Sequence, residues 1–415
     1  MRRGRLDGRG TGVRLRELLS GARGAKQENR QKIIRAVLSR AGNQTDLVRR
    51  SGMSSATVSE AVRELERNGI VRTEKQGRDT LVRLAPVEGV AVGVELGYQK
   101  TVIVGRLAHQ ERHECVSRTL QVGASSGETH WVRAVAVAVQ ELVSEFGEPH
   151  DLATLGLAVP RMISPRTGRF APPTLPPWEK ESVPDVSLAE ELADLRAAAG
   201  GGGRPSLPRP LLDNDANLGA LAESVYAHSG REILLYVKAS TGVGAGLFVG
   251  GRLFRGANGV AGELGHVMVD PNGRFCLCGG RGCLETLIGA DRLVDRARLV
   301  LGDKITAYRG LADMIDKART GDALAGRMLR EAGTQLGYAI GNVCNIINPN
   351  VVVVGGSLAQ AGSLVLGPCR DAIEATAMTA AYEADTGFVV EASTVEHASA
   401  QGALLLGLEG TTYRD

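Results

Sequence analysis

The sequence predicts an α/β protein that is preceded by a small, basic, mostly helical domain. Three observations support this fold class. Strand patterns alternate with helix patterns from about residue 86 onward, as they do in α/β folds. Glycine-rich turns at 241–246 and at 355–356 follow apolar strands, which is typical of old phosphate-binding loops or of tight backbone packing. The first 85 residues instead show helical periodicity that ends in a hairpin pattern.

The composition is that of a soluble globular protein long enough for two or three domains. The chain has 415 residues, of which 43% are hydrophobic and 23% are charged. It has neither an apolar run near the roughly 20 residues of a membrane span nor the apolar N-terminal stretch of a signal peptide. We therefore expect a cytoplasmic protein with no membrane partner, in which clustered cysteines indicate a metal site rather than disulfides.

Charge is distributed unevenly along the chain. Residues 1–85 carry 20 Lys and Arg against 9 Asp and Glu, a balance of +11, whereas the remaining residues carry 29 against 37, a balance of −8. A basic head on an acidic body favours binding of the head to a polyanion, although a basic solubilising tail gives the same counts. Residues 1–25 are rich in Arg and Gly without periodicity, which predicts a disordered arm.

Residues 26–85 carry the pattern of three helices and a hairpin. The segment "NRQKIIRAVL" has its apolar residues on one helical face. Thr45 is placed to cap a short second helix, residues 51–53 form a turn, and Ser54 is placed to cap a third helix. The apolar stripe of the third helix consists of Val58, Ala61, Val62 and Leu65. Gly69 ends that helix, and "IVRTEKQGRDTLVRL" follows as a β-hairpin.

The exposed faces of the third helix and of the hairpin tip carry groups suited to DNA. Small hydroxyls allow a helix to approach base edges and phosphates closely, and cations at a hairpin tip can reach the DNA backbone. The expected DNA contacts are Ser54, Ser55, Thr57, Ser59, Arg63, Lys75 and Arg78. The segment resembles the winged helix-turn-helix domains of bacterial repressors, so the expected partner is a double-stranded DNA operator. A three-helix domain with no DNA partner is the alternative.

The segment 262–285, "GELGHVMVDPNGRFCLCGGRGCLE", gathers four soft ligands between two carboxylates. Three thiolates and one imidazole complete the tetrahedral shell of a Zn²⁺ ion, and the interspersed glycines allow the backbone to fold tightly around it. The expected ligands are His266, Cys276, Cys278 and Cys283. Such a closed shell indicates a structural site rather than a hydrolytic one. A set of reduced structural cysteines is the alternative.

Together with "DNDANLGALAE" and "STGVGAGLFVGGRLFRG", this segment resembles the ROK family of bacterial repressors and sugar kinases over roughly residues 86–410. The resemblance implies an actin-like, hexokinase-like pair of α/β lobes at 86–415, with a sugar bound in the cleft. It also implies that sugar hydroxyls are contacted by Asn214, Asp215, Glu263, His266 and Glu285. One nitrogen of His266 would then bind zinc while the other faces the sugar. Asn214 and Asp215 can equally cap the helix that follows them.

The chain departs from the kinases of that family in three places. The kinases have an Asp-x-Gly-Gly-Thr turn for phosphate and magnesium, whereas this chain has Glu95-Leu96-Gly97-Tyr98-Gln99. Arg161 replaces the glycine of a Pro-Gly pair, and Thr174 replaces an asparagine that helps to hold the sugar. A misfitting loop impairs phosphoryl transfer, which depends on positioning and charge neutralisation. We therefore expect no catalytic residues, with Asp215 as a vestigial general base.

The expected function is that of a sugar-responsive transcriptional regulator. We expect it to act as a repressor of carbohydrate uptake or metabolism. Its effector would be a sugar or a sugar phosphate. A homodimer is favoured by two-fold operators, and the family resemblance also allows a homotetramer. Two alternatives stay open at this point. One is an ATP-dependent sugar kinase that carries a DNA-binding domain, and the other is a regulator with a degenerate pocket that is controlled by a protein partner.

Overall fold

The structure is a computed structural model. It describes the residues 25–85, 88–110, 114–147, 151–171, 184–198, 207–301, 308–382 and 387–409. Apart from Ala25, the arm predicted at residues 1–25 lies outside the described residues, and so does Thr174. The domain limits set at residues 25/26 and 85/86 stay predictions.

The N-terminal head consists of three helices followed by a two-stranded antiparallel sheet. Its elements are α1 (Ala25–Ser39), α2 (Gln44–Ser51), α3 (Ser55–Arg67), β1 (Val71–Gln76) and β2 (Asp79–Leu84). The expected apolar faces of α1 and α3 are buried. Ser54 caps α3 as predicted, because its Oγ atom accepts a hydrogen bond from the Thr57 N–H at 3.2 Å. Gly52 makes the turn before it with a left-handed φ of 67°.

The prediction that Thr45 caps the second helix is wrong. Helix α2 begins at Gln44, one residue before Thr45, and its cap is Asn43. The Asn43 Oδ1 atom accepts a hydrogen bond from the Asp46 N–H at 3.0 Å. Asn and Thr are both common caps, so two candidates two residues apart could not be separated by residue type alone.

The body contains two five-stranded sheets of the same design, each with an antiparallel three-stranded meander to which two strands add in parallel. The first sheet has the order β5-β4-β3-β6-β7, with β3 (Val90–Leu96), β4 (Thr101–Leu107), β5 (Val116–Leu120), β6 (Leu152–Val159) and β7 (Leu211–Asn214). The second has the order β10-β9-β8-β11-β12, with β8 (Ile233–Ala239), β9 (Val243–Val249), β10 (Arg252–Leu253), β11 (Val351–Gly355) and β12 (Val389–Ala392). The expectation of two α/β lobes is confirmed.

Helices cover the outer faces of both sheets and fill the space between them. Those of the body are α4 (Glu128–Glu145), α5 (Pro184–Ala198), α6 (Asp215–Tyr226), α7 (Glu285–Ile288), α8 (Ala290–Leu301), α9 (Leu311–Arg319), α10 (Ala323–Ile347), α11 (Ser363–Thr376) and α12 (Ala398–Glu409). Helices α4 and α5 lie outside the first sheet, α8 to α11 lie outside the second, and α6 and α12 lie between the two. Within the described residues, no helix has the length and apolarity needed to cross a bilayer.

Glycines allow α6, α12 and the first sheet to approach one another closely. A Cβ atom at Gly402 of α12 would lie 1.8 Å from the carbonyl oxygen of Leu218 in α6. A Cβ atom at Gly156 of β6 would lie 1.9 Å from the carbonyl oxygen of Ala403. These distances leave no room for a side chain. Helix α12 therefore packs directly against the backbone of α6 and of β6.

Alternation along the strands decides which side chains face these inner helices. Along β3, Val94 packs outward with α4, so its neighbour Glu95 faces inward. Along β8, Val237 packs outward with α10 and α11, so Lys238 faces inward. Two charged side chains from different sheets are thereby directed into the same space between the lobes.

The head rests on the body through α1. Helix α1 packs against α6, and the apolar cores of the head and of the inner helices form one continuous cluster. The Arg35 guanidinium lies 4.8 Å from the centroid of the Phe248 ring in β9. The turn at Gly230 also approaches the head, since a Cβ atom there would lie 3.2 Å from the Arg50 carbonyl oxygen.

Gly156→Ala is expected to lower the free energy of unfolding by about 1–3 kcal/mol, the usual cost of overpacking a core, because the new methyl group would meet a fixed carbonyl. Gly326→Ala in α10 is the matched control. The nearest atoms to a Cβ there belong to the flexible Arg330 guanidinium, at 3.3 Å or more. Alanine also favours a helix by roughly 0.5–1 kcal/mol. Denaturant unfolding measures both variants, and equal effects would contradict the close-packing account.

Candidate functional site

Asn214 and Asp215 lie where β7 ends and α6 begins, at the mouth of the space between the lobes. The Asn214 Oδ1 atom accepts hydrogen bonds from the Ala216 N–H at 2.9 Å and the Asn217 N–H at 3.1 Å, so Asn214 caps α6. One hydrogen of its amide nitrogen is donated to the Arg161 carbonyl oxygen at 3.2 Å. The second amide hydrogen has no acceptor among the described residues, which leaves it able to meet a ligand oxygen while Asn214 still caps the helix.

Asp215 belongs to a buried ion cluster that joins the two lobes. The Lys238 Nζ atom lies 2.6 Å from Asp215 Oδ2 and 2.5 Å from Glu95 Oε1. All three side chains are largely buried. Burial alone would lower the pKa of Lys238, but the two adjacent carboxylates outweigh it and raise the pKa above its usual range. The ammonium therefore stays charged.

Glu263 is close enough to the other cleft carboxylates to feel their charges. Burial raises the pKa of Glu263 to about 7, and repulsion from Asp215 and Glu285 adds to that rise, while the Arg161 guanidinium opposes it. Glu285 is the first residue of α7, and its Oε2 atom accepts a hydrogen bond from the Val243 N–H at 2.9 Å. Three of the five expected sugar contacts are thus acidic, and the charges of Asp215 and Glu285 both act on Glu263.

The four expected metal ligands converge. The ligand atoms of His266, Cys276, Cys278 and Cys283 all lie within 4.8 Å of one another. The Cys278 and Cys283 sulfurs are 3.6 Å apart, and the Cys276 sulfur is 3.5 Å from His266 Nδ1. A tetrahedral Zn²⁺ shell with Zn–S bonds of about 2.3 Å requires ligand separations of about 3.8 Å. The donor set and the spacing therefore fit a zinc ion.

His266 connects this cluster with the cleft. Its Nδ1 atom faces the cysteines, whereas its Nε2 atom lies 3.8 Å from Glu263 Oε2. The backbone holds the cluster in place, since Gly282 has a left-handed φ of 66° and a Cβ atom there would collide with the Asp270 carbonyl oxygen. The imidazole can therefore bind a metal ion through one nitrogen and hydrogen-bond to a ligand in the cleft through the other.

Arg161, the departure from the Pro-Gly pair, is buried at the edge of the same cleft. It is 7% exposed, and its guanidinium lies 5.3 Å from the centroid of the Phe170 ring. Burial lowers the pKa of Arg161, and the charge of Glu263 opposes that shift. The substitution thus adds a cation to a cleft that is otherwise rich in carboxylates.

Both glycine-rich turns are packed against backbone or aromatic rings. A Cβ atom at Gly246 would lie 2.3 Å from the Ala216 carbonyl oxygen, and one at Gly355 would lie 2.3 Å from the Tyr236 hydroxyl. Strand β9 begins already at Val243, so most of the segment 241–246 is strand rather than turn. Close packing accounts for these glycines without a phosphate.

The expected DNA-binding residues are at least partly exposed. Arg63, Lys75 and Arg78 are exposed, and so are Ser54 and Ser55, while Thr57 and Ser59 are half-buried. The Ser54 and Thr57 hydroxyl oxygens are 2.8 Å apart. The wing turn forms as expected, with a φ of 62° at Gly77 between β1 and β2.

Sequence reasoning missed two polar side chains in these regions. Gln44, at the start of α2, is exposed, and its Nε2 atom donates to the hydroxyls of Ser55 at 2.8 Å and Ser59 at 2.6 Å. Lys238 was overlooked although it stands in the apolar strand "ILLYVKA". A lysine within a buried strand was the available signal, because charged side chains are almost never buried without partners.

A winged-helix head on two lobes of related design, with carboxylates and a Cys/His cluster at their cleft, defines a DNA-binding regulator built on a sugar-kinase fold. The chain belongs to the ROK family: the ROK family model matches residues 91–409. A winged helix-turn-helix DNA-binding model matches residues 27–72.

Relatives fall into both branches of the family. The chain is 26% identical to the DNA-binding transcriptional dual regulator NagC of Escherichia coli K12 over 379 residues, which are 87% of this chain and 87% of that protein. It is 29% identical to a glucokinase of Thermotoga maritima over 295 residues, 68% of this chain and 86% of the enzyme. The crystal structure of a ROK family transcriptional regulator, a homologue of the E. coli MLC protein, superposes with a TM-score of 0.66 at 20% identity, and covers 92% of this chain and 96% of that one. The two regulator matches cover 87% and 92% of this chain, whereas the glucokinase match covers 68%.

Proposed function

We propose that this protein is a sugar-responsive, DNA-binding transcriptional regulator that represses genes of carbohydrate uptake or metabolism. The observation that carries the proposal is the placement of α6. Its first residue, Asp215, belongs to the cleft, and the same helix packs against α1 of the DNA-binding head. Strand β9 makes a second connection, from Val243 beside Glu285 to Phe248 beside Arg35.

These connections provide a route from ligand to DNA. Helix α6 has 12 residues and spans about 18 Å, so a shift at its N-terminus reaches the head within one rigid element. A ligand changes operator affinity only by its differential affinity for the two states. A coupling of roughly 1–3 kcal/mol, or about 5- to 150-fold in operator affinity, is ordinary for such a switch. We propose that the protein acts as a homodimer or homotetramer, because two-fold operators require paired heads.

The proposed effector is a sugar or a sugar phosphate held by Asn214, Asp215, Glu263, His266 and Glu285. Ionised carboxylates accept hydrogen bonds from hydroxyls, and charge-assisted bonds of this kind are the stronger ones. The second amide hydrogen of Asn214 and the cleft-facing nitrogen of His266 can meet sugar oxygens. The pocket thus combines acceptors with donors, as a ring of hydroxyls requires.

A sugar kinase with a DNA-binding head is the second candidate, favoured by the presence of Asp215 and by the glucokinase relative. Against it stands the turn after β3. The Gly97 N–H donates to the Lys100 carbonyl oxygen at 2.9 Å, and the Gly97 and Tyr98 carbonyl oxygens accept hydrogen bonds from Ala124 and Ser125. Of these groups only the Gly97 N–H could donate to a phosphate oxygen, and it is already engaged with the protein. ATP-dependent phosphorylation of a hexose panel by the purified protein tests this candidate, and measurable turnover would favour it.

The first prediction for this function concerns the effector. Operator affinity of the wild type should change about 5- to 150-fold with at least one member of a panel of pentoses, hexoses, N-acetylhexosamines and their phosphates. Glu263→Ala should weaken binding of that compound by about 1–3 kcal/mol, because a ligand hydroxyl loses its acceptor. Operator affinity without sugar is measured beside it, so that a lost response is separated from lost DNA binding. A wild type that responds to no member of the panel would overturn the sugar-sensing role.

The second prediction concerns DNA. Arg78→Ala should weaken binding to all sequences and reduce the slope of log K against log salt by about 0.9, the contribution of one phosphate contact. Thr57→Ala should instead change sequence preference. Arg292→Ala, an exposed arginine on α8 of the body, is the control and should bind like the wild type. Full affinity after deletion of residues 1–85 would refute the assignment.

The third prediction concerns the metal. We propose that the Cys/His cluster holds a structural Zn²⁺, so the purified protein should carry about one zinc per chain. Cys278→Ser should reduce the metal content and lower the thermal midpoint of the body. Cys115→Ser is the matched control, since this thiol lies outside the cluster and bonds to Gln401, a role that a hydroxyl can take over. Elemental analysis measures the zinc content, and thermal unfolding measures the midpoint. An unchanged midpoint in a zinc-free protein would exclude a structural role for the metal.

A further inference from the structure

The cation within the cleft is part of the protein itself. The Lys238 Nζ atom lies within 2.6 Å of carboxylate oxygens from two different residues. Glu95 reaches it from the inner face of the first sheet, Lys238 belongs to the inner face of the second, and Asp215 opens the helix between them. The ammonium is therefore the centre of a bridge between the lobes.

The two carboxylates need a positive charge at this position. Like charges that share a buried site repel each other, and one of them must take up a proton unless a cation lies between them. Breaking a buried ion pair by removing one partner leaves an uncompensated charge and is strongly destabilising. Of the two possible sources of positive charge, a bound ion and a side chain, this chain supplies the side chain.

That arrangement is incompatible with a divalent metal ion at the same oxygens. Mg²⁺ is held by one or two carboxylates at about 2.0–2.1 Å, with near-octahedral geometry. Glu95 Oε1 and Asp215 Oδ2 are both bonded to the ammonium, whose nitrogen occupies the space between them. Phosphoryl transfer depends on metal ions that neutralise the phosphate oxygens, so the residues here do not fit the magnesium that the kinase resemblance implies.

We propose that Lys238 is a tethered cation that takes the place of a divalent metal between Glu95 and Asp215, and so reserves Asp215 for holding a ligand hydroxyl. The proposal concerns the same cleft as the proposed function and deepens it. In its role, Lys238 is a positioning residue. It holds one oxygen of the Asp215 carboxylate and leaves the other to accept a hydrogen bond, which gives the cleft its binding function without the metal that a phosphoryl donor would need.

The direct test is the binding of Mn²⁺ to the full-length chain, followed by electron paramagnetic resonance. The wild type and the matched variant Lys238→Arg, which keeps the charge, should show no manganese at the cleft. Lys238→Ala should gain one site with a dissociation constant of roughly 0.1–1 mM, the range of weak oxygen-liganded sites. Adding Glu95→Gln to that variant should abolish the site. A folded Lys238→Ala protein without manganese, or a wild type that binds it through Glu95, would overturn the proposal.

A stability cycle keeps the proposal testable even where Lys238→Ala is too unstable for metal titration. Lys238→Ala should lower the thermal midpoint, because two buried carboxylates lose their shared counter-ion. Glu95→Gln should raise the midpoint in the Lys238→Ala background but not in the wild type, because it relieves repulsion only when the ammonium is absent. If Lys238 had a packing role alone, Glu95→Gln would not raise the midpoint in the Lys238→Ala background. The absence of that rise would refute the tethered cation. Neither experiment uses DNA or sugar, so their outcome is independent of the proposed regulatory function.

Discussion

The packing of α6 between the two sheets is the constraint on which the cleft and the head both depend. Gly402 of α12 and Gly246 of β9 bring backbone against this helix at distances that exclude a side chain. The N-terminus of α6 is thereby fixed beside Glu95 and Lys238, while its flank is fixed against α1. Close-packed interiors transmit strain rather than absorb it. A displacement of Asp215 must therefore move α6 as a body, and with it the surface on which the head rests.

The Cys/His cluster adjoins the same cleft through His266, whose Nε2 atom lies 3.8 Å from Glu263 Oε2. A metal held by His266 Nδ1 would leave the proton on Nε2, because the tautomer is set by what the other nitrogen binds. That nitrogen would then be a donor in a cleft whose other groups are mainly acceptors. The backbone N–H of Val243 holds Glu285 in a defined orientation. In the proposed function, a loop without catalytic geometry would thus contribute to recognition by fixing donors and acceptors.

The features that could be predicted from the sequence are those encoded within a few residues. The Ser54 cap, the apolar stripe of α3 and the four soft ligands each follow from local spacing, and the structure brings each together. The ion cluster could not be predicted in this way, because Glu95 and Lys238 lie 143 positions apart and meet only through the alternation of two separate strands. The Gln44 contacts with α3 likewise depend on the angle between two helices. Even the cap of α2 needed geometry, since Asn43 and Thr45 are both of residue types common at N-caps, and the structure uses Asn43.

An ammonium in place of a metal changes which bound species determine the state of the cleft. In a catalytic cleft, the charge of the phosphate oxygens is neutralised only after a nucleotide and its metal ion have bound. The occupancy of such a cleft therefore depends on the concentrations of the nucleotide and of the metal ion as well. With Lys238 in place, one ammonium already offsets part of the charge of the two carboxylates in the free protein, and occupancy depends on the ligand alone. A ligand hydroxyl that bonds to Asp215 shares this carboxylate with the ammonium that also holds Glu95 on the other lobe. Ligand binding and the bridge between the lobes thus use the two oxygens of one carboxylate, which is the condition for one to bias the other.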